Sequence, residues 1–169
     1  MNKLAAEHYF GDAEPVATLP LDWESNEDNF SSVDRPEPAM QPVYIGMRAF
    51  LTKNFDKAND FVNGMACVVE AYHPEAKCIE VSTQTGKRLA AFLNTEHVDK
   101  RGRVTSFPLR LGYASTIQKL QGATLPHVTM WLDIPGCKAA GYVALSRIRR
   151  DNDYLIAGHV TRYHFRPAL

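Results

Sequence analysis

Two tight turns limit what the middle of this chain can become. Asn63-Gly64 and Thr85-Gly86 each precede or join short runs rich in Val, Ile, Ala and Phe. Asn-Gly is the strongest short-range reversal signal, because both residues tolerate positive φ. The runs beside the turns, MACVVEAY, KCIEVST and KRLAAF, are short and carry the β-branched residues that suit a pleated surface. Before them, YIGMRAFLTKN alternates Met47, Ala49 and Leu51 with Arg48 and Thr52, which is the period of a strand. Short strands joined by tight turns predict a small β-barrel or meander.

After Arg103 the pattern changes. SFPLRLGYAST reads as a short apolar strand, IQKLQG as one or two helical turns, and HVTMWLDI as a second strand. CKAAGYVALSRIRR reads as a helix, with Ala140, Val143, Ala144 and Ile148 on one face by 3–4 spacing. DYLIAG is a third strand. Strand, helix, strand, helix, strand at this spacing predicts crossover connections and a parallel sheet. The expected fold class is therefore α/β, with a β-rich insert ahead of the last part of the α/β domain. The expected divisions are a lead segment over 1–42, the insert over 43–104, the α/β portion over 105–160 and a tail over 161–169.

Charge separates the lead from the body. Residues 1–40 hold nine acids against two bases, and the rest of the chain holds seventeen bases against ten acids. The Pro-rich lead shows no sustained period and is expected to be an extended linker or peripheral strand. A basic body suits a polyanionic partner, although an ordinary solvated surface has the same composition. Cys67, Cys78 and Cys137 are odd in number and lack C-x-x-C spacing, so buried small hydrophobes are expected and no zinc site. The six histidines form no H-E-x-x-H, and no metal ligands are expected. There is no apolar run of membrane-spanning length and no apolar leader, so the expected location is intracellular.

Two stretches could carry chemistry. YASTIQKLQGAT, from Tyr113 to Thr124, begins at the end of an expected strand, where ligands bind in α/β sheets. Backbone N–H groups near Gly122 could meet an anion, and Thr116, Gln118 and Lys119 could donate to phosphates. A polar loop with one helical turn is the plainer alternative. YVALSRIRR, from Tyr142 to Arg150, puts three arginines within four residues. On a helix Arg147 and Arg150 share a face, and Arg147 could aim its planar, permanently charged fork at a phosphate. A basic helix end satisfying the helix dipole is again the plainer alternative.

One absence weighs as much. The chain has no G-x-x-x-x-G-K-[ST]. Gly86-Lys87 is its only Gly-Lys pair, with Val81 where the first Gly belongs and Arg88 where Ser or Thr belongs. No acidic pair follows an apolar strand to hold Mg²⁺. These residues alone do not build a nucleoside-triphosphate site.

YASTIQKLQGAT resembles motif V of superfamily 1B DNA helicases, A-x-T-[IV]-H-K-S-Q-G-x-T, and GYVALSRIR resembles their motif VI, Y-V-A-L-S-R-[VA]-[RK]. GMRAFLTKNFDKANDFVNGMACVV is similar to a further segment of the same proteins, in the same order. The chain is identified as similar to the petite-integration-frequency (PIF) family, RecD-like helicases, over roughly residues 43–160. Gln118 stands where the family usually has His, Leu120 where it has Ser, and Cys67 where it has Gly.

The resemblance implies a partial RecA-like C-terminal motor domain carrying a Src-homology-like β-barrel insert. It implies an ATP-dependent helicase moving 5′→3′ on single-stranded DNA, with ATP and Mg²⁺ as cofactors of the complete enzyme. It places Thr116, Gln118 and Lys119 on the DNA side. It places Gln121, Gly122 and Thr124 near the nucleotide, with Arg147 at its γ-phosphate as the catalytic residue. The phosphate-loop motor domain would come from elsewhere, in cis or in trans, and this chain alone is expected to be inactive. A eukaryotic source would imply nucleus or mitochondrion, otherwise cytoplasm. The alternative is a non-catalytic module that binds single-stranded nucleic acid.

Overall fold

The computed structural model describes residues 1–22, 38–98, 102–120, 124–132 and 138–167. The chain divides into two compact units, Met1–Ala114 and Ser115–Leu169. None of the described helices is long and apolar enough to cross a membrane.

In the first unit the turns fall where the dipeptides place them. Gly64 and Gly86 take φ of 85° and 82°. A five-stranded antiparallel sheet follows from them, in the order β6 (Arg88–Phe92), β5 (Cys78–Thr83), β4 (Ala66–His73), β3 (Arg48–Leu51) and β9 (Leu109–Leu111). Alternate residues of these strands face one core: Ala49, Leu51, Val69, Ile79, Val81 and Leu109 are almost fully buried. An irregularity between Val69 and Ala71 shifts the register of β4 against β5, which bends and twists a strand. The sheet is open among the described residues, since no pairing joins β6 to β9; of the expected barrel or meander, these ladders give the meander and do not close a barrel.

Three further features depart from the sequence reading. The run SFPLRL was expected to open the parallel sheet. Instead β9 joins the antiparallel sheet beside β3, with Leu109 opposite Leu51 and Leu111 opposite Ala49. Two leucines on one pleat face suit a shared core, whereas parallel strands buried on both faces need continuous apolar runs. Arg110, between them, is buried with its guanidinium 4.8 Å from the centre of the Phe50 ring. Next, β7 (Asn94–Val98) and β8 (Gly102–Ser106) pair with each other in a two-stranded antiparallel sheet of their own, and the Lys53 ammonium lies 2.8 Å from the Glu96 carboxylate on β7.

Last, the lead segment, expected as an extended linker or peripheral strand, holds a helix that was not expected as well as a strand that was. Residues 2–10 form helix α1 (Asn2–Phe10), and β1 (Ala17–Leu21) pairs antiparallel with β2 (Ala39–Val43). The Asn2 amide fastens the helix to the chain leaving β9. Its Oδ1 accepts the N–H groups of Tyr113 and Ala114 at 2.9 and 2.5 Å, and its Nδ2 donates to the Ala114 carbonyl at 3.0 Å. Asp22, at the end of β1, is buried and accepts the Thr52 hydroxyl at 2.6 Å.

Cys67 lies in extended backbone on β4, outside the positive-φ residues, so a side chain fits where the resembling family has Gly. Its Sγ donates to the Ala49 carbonyl at 3.5 Å, and burial pushes the thiol up from 9.0 to about 12. Below pH 9 folded and unfolded states both carry the proton. Above it the unfolded thiol ionises first, so stability is lost as pH rises from 9 toward 12. At pH 10.5 the loss from this group is about 2 kcal/mol relative to neutral pH. Denaturant midpoints of wild type and Cys67→Val at the two pH values check this. The variant should lose less on going alkaline; equal losses would contradict it.

In the second unit, β10 (Val128–Leu132) and β11 (Tyr154–Gly158) run parallel, with Leu132 opposite Gly158. Two strands, not three, make the described part of the parallel sheet. Helix α2 (Ala140–Leu145) packs against β10, burying Ala140, Gly141 and Ala144. The tail forms a 3₁₀ turn, Arg162–Phe165, on the same helix. Gly141 permits this, because a Cβ there would lie 2.5 Å from the Phe165 ring. His164 is buried under the turn, and its Nδ1 accepts the Thr161 N–H at 3.1 Å.

Candidate functional site

The candidate residues gather in the second unit around two chain segments fastened by main-chain bonds. Thr116 and Ile117–Leu120 form a 3₁₀ turn, opened by the Lys119 N–H donating to the Thr116 carbonyl at 3.1 Å. Thr116 and Lys119 are exposed on it, and the turn packs beside α2. Gln118 lies within the turn. Gln121 and Gly122 lie outside the described residues. Thr124 is exposed, one residue before the connection that matters most. The Leu125 N–H donates to the Arg147 carbonyl at 2.7 Å, and Leu125 pairs in parallel with Ile148. The polar stretch and the arginine stretch, 22 residues apart at that bond, are thus brought side by side.

The helix expected to carry Arg147 ends before it. Observed α2 stops at Leu145, so Arg147, Arg149 and Arg150 follow the helix, and the shared helical face expected for Arg147 and Arg150 does not form. Two hydrogen bonds, one local and one from a residue far along the chain, accompany the ending. The Ser146 hydroxyl donates to the Val143 carbonyl at 2.7 Å, one of the acceptors a helix end leaves open. The Arg147 carbonyl is taken by Leu125. At the other end, Ala139 begins the helix at φ 60° with no side-chain cap, a left-handed conformation that costs a non-glycine residue about 1 kcal/mol.

The Arg147 side chain turns back on the helix. Its Nε donates to the Val143 carbonyl and to Ser146 Oγ, both at 3.2 Å, and its Nη2 donates to Ser146 Oγ at 2.8 Å. The sequence reading singled out Arg147 but not Ser146, although Ser directly before Arg was the signal available. It also missed Ser115, whose buried hydroxyl has no hydrogen-bond partner among the described residues. No three His, Cys, Asp or Glu side chains among the described residues stand close enough to hold a metal ion.

No protein-family model matches the chain. In sequence it is 29% identical over 137 residues to the human ATP-dependent DNA helicase PIF1, a match taking in 75% of this chain and 21% of that protein. Among solved structures, two coordinating Pif1 helicases at forked double-stranded DNA match with a TM-score of 0.69 and 22% identity, over 99% of this chain and 42% of theirs. Bacteroides Pif1 with ADP-AlF3 and single-stranded DNA gives 0.67 and 22%, over 97% of this chain and 39% of that one. Candida albicans Pif1 gives 0.64 and 18%, over 96% and 43%. The chain spans about one fifth of the curated relative and about two fifths of the solved ones. It is therefore similar in sequence to a Pif1 helicase and shares the fold of the matching part of Pif1 helicases.

Proposed function

We propose that this chain is the C-terminal motor part of an ATP-dependent DNA helicase that moves 5′→3′ on single-stranded DNA. One observation carries the reading: a main-chain bond ties Leu125, the residue directly after the segment that resembles motif V, to Arg147 in the segment that resembles motif VI. In this reading the RecA-like portion follows the β-rich insert. Thr116, Gln118 and Lys119 grip the phosphates of the strand, with Gln118 donating in place of the family's His. Gln121, Gly122 and Thr124 line the nucleotide side. Arg147 contacts the γ-phosphate.

The residues present fit part of an ATP site. Arg147 has N–H donors to spare for phosphate oxygens, but the chain has no phosphate loop and its described residues have no acidic cluster for Mg²⁺. Bound ATP supplies a transferable phosphoryl group, and Arg147 would stabilise the charge on it. The phosphate loop and Mg²⁺ ligands come from a motor domain outside these residues, in cis or in trans, so the chain alone turns nothing over.

Fluorescence anisotropy with a labelled single-stranded oligonucleotide tests the strand side. Binding should weaken steeply as salt rises. Lys119→Ala should weaken it roughly threefold to tenfold and flatten the salt dependence by about one ion. No binding at low salt, or binding indifferent to both salt and Lys119, would sink the reading of this turn as a phosphate grip. A second reading, a binding module without turnover, draws on Gln118 and Leu120, which depart from the family pattern. Supplying a phosphate-loop motor domain and finding no Arg147-dependent ATP hydrolysis would favour it.

A further inference from the structure

The hydrogen bonds around Arg147 fix more than a helix end. Its backbone N–H donates to the Ala144 carbonyl at 3.1 Å, and its carbonyl accepts from Leu125 at 2.7 Å, so the main chain is held on both sides. Ser146 Oγ then uses its one hydrogen on the Val143 carbonyl and its lone pairs on Nε and Nη2 of Arg147. A guanidinium has five N–H donors in a fixed plane. Nε and one N–H of Nη2 are engaged on the Ser146 side. Three remain among the described residues: both on Nη1 and the second on Nη2. One N–H of Nη1 and the second of Nη2 lie along the edge of the fork that can bind an oxyanion in bidentate fashion, and the other Nη1 N–H points back toward Cδ.

We propose that Ser146 is a positioning residue that clamps the Nε side of Arg147 and so presents its Nη1/Nη2 edge to a phosphate oxygen. The role rests on the reading of Arg147 as a phosphate contact. Ser146 does not touch the phosphate. It restricts the rotation of a long, rotamer-rich side chain before the ligand arrives, which lowers the ordering that binding requires. The same bonds also satisfy the helix end, so the test needs a readout that a cap alone would not move.

The probe is inorganic tripolyphosphate, titrated into the full chain while the Arg147 Nε–H resonance is followed by NMR. Wild type should bind weakly, with that resonance slow to exchange and shifting on titration. Arg147→Ala should abolish the response. Ser146→Ala should raise Kd about fivefold and hasten Nε–H exchange, and Ser146→Thr, which keeps the hydroxyl, should return both to within twofold of wild type. If Ser146→Ala binds like wild type while Arg147→Ala does not bind, the positioning role is wrong and the phosphate contact stands. If Arg147→Ala binds like wild type, the phosphate contact is wrong and this role goes with it. Should Ser146→Ala unfold, the Thr variant decides: slow Nε–H exchange with unchanged affinity supports the clamp, and fast exchange with unchanged affinity overturns it.

Discussion

Gly158→Ala should cost the second unit about 3 kcal/mol or more, a large share of the stability of an ordinary domain. Gly158 closes β11 at φ 87°, and a Cβ there would lie 2.3 Å from the Leu132 carbonyl oxygen. Two penalties combine. The left-handed backbone costs an alanine roughly 1–2 kcal/mol. The overlap is with backbone, and that carbonyl also accepts the His159 N–H at 2.7 Å, so neither partner can withdraw without opening the parallel ladder. Gly64→Ala is the control, because φ there is 85° but nothing lies within 4 Å of the added Cβ. It should show the backbone penalty alone. Thermal melts of the two variants measure the difference, and equal losses would mean that the β10–β11 contact is not as close as described.

Asn2→Ala should destabilise the first unit by about 2–4 kcal/mol, large for a residue one place from the chain start. The substitution strips partners from two N–H groups and one carbonyl at Tyr113 and Ala114. Partly buried main-chain groups without partners carry most of that cost. Asn2→Asp should be milder, since a carboxylate still accepts both N–H groups but loses the bond to the Ala114 carbonyl. Amide exchange at Tyr113 and Ala114 is the specific check. Exchange unchanged in Asn2→Ala would show that the amide does not hold that strand end.

Features fixed by neighbouring residues were legible in the sequence. Asn63-Gly64 and Thr85-Gly86 dictate φ at their own glycines, and both turns stand where they were read. The alternation of Met47, Ala49 and Leu51 gave the buried face of β3. What escaped reading depends on partners far along the chain. Helix α1 has no clear apolar stripe, and Asn2 gains its importance from residues 111 and 112 positions away. Leu109 and Leu111 suit a strand in either kind of sheet until Ala49 and Leu51 are known to face them. At the candidate site Arg147 was visible as a residue type in a pattern. The helix end before it was not, because one of the bonds there comes from the distant Leu125 N–H to the Arg147 carbonyl. Gln121 and Gly122 lie outside the described residues and stay expectations.

The Asn2 clamp also has a consequence in time. Its partner at Tyr113 lies 111 residues downstream. At about 5–20 residues per second, α1 is made roughly 6–20 s before the strand end it must hold. Leu4 and Tyr9 stay about two-thirds exposed even in the finished fold, so the nascent helix waits with little of its apolar surface covered. Within the first unit, a segment made early is thus among the last to be fixed, which lengthens its exposure to chaperones during synthesis.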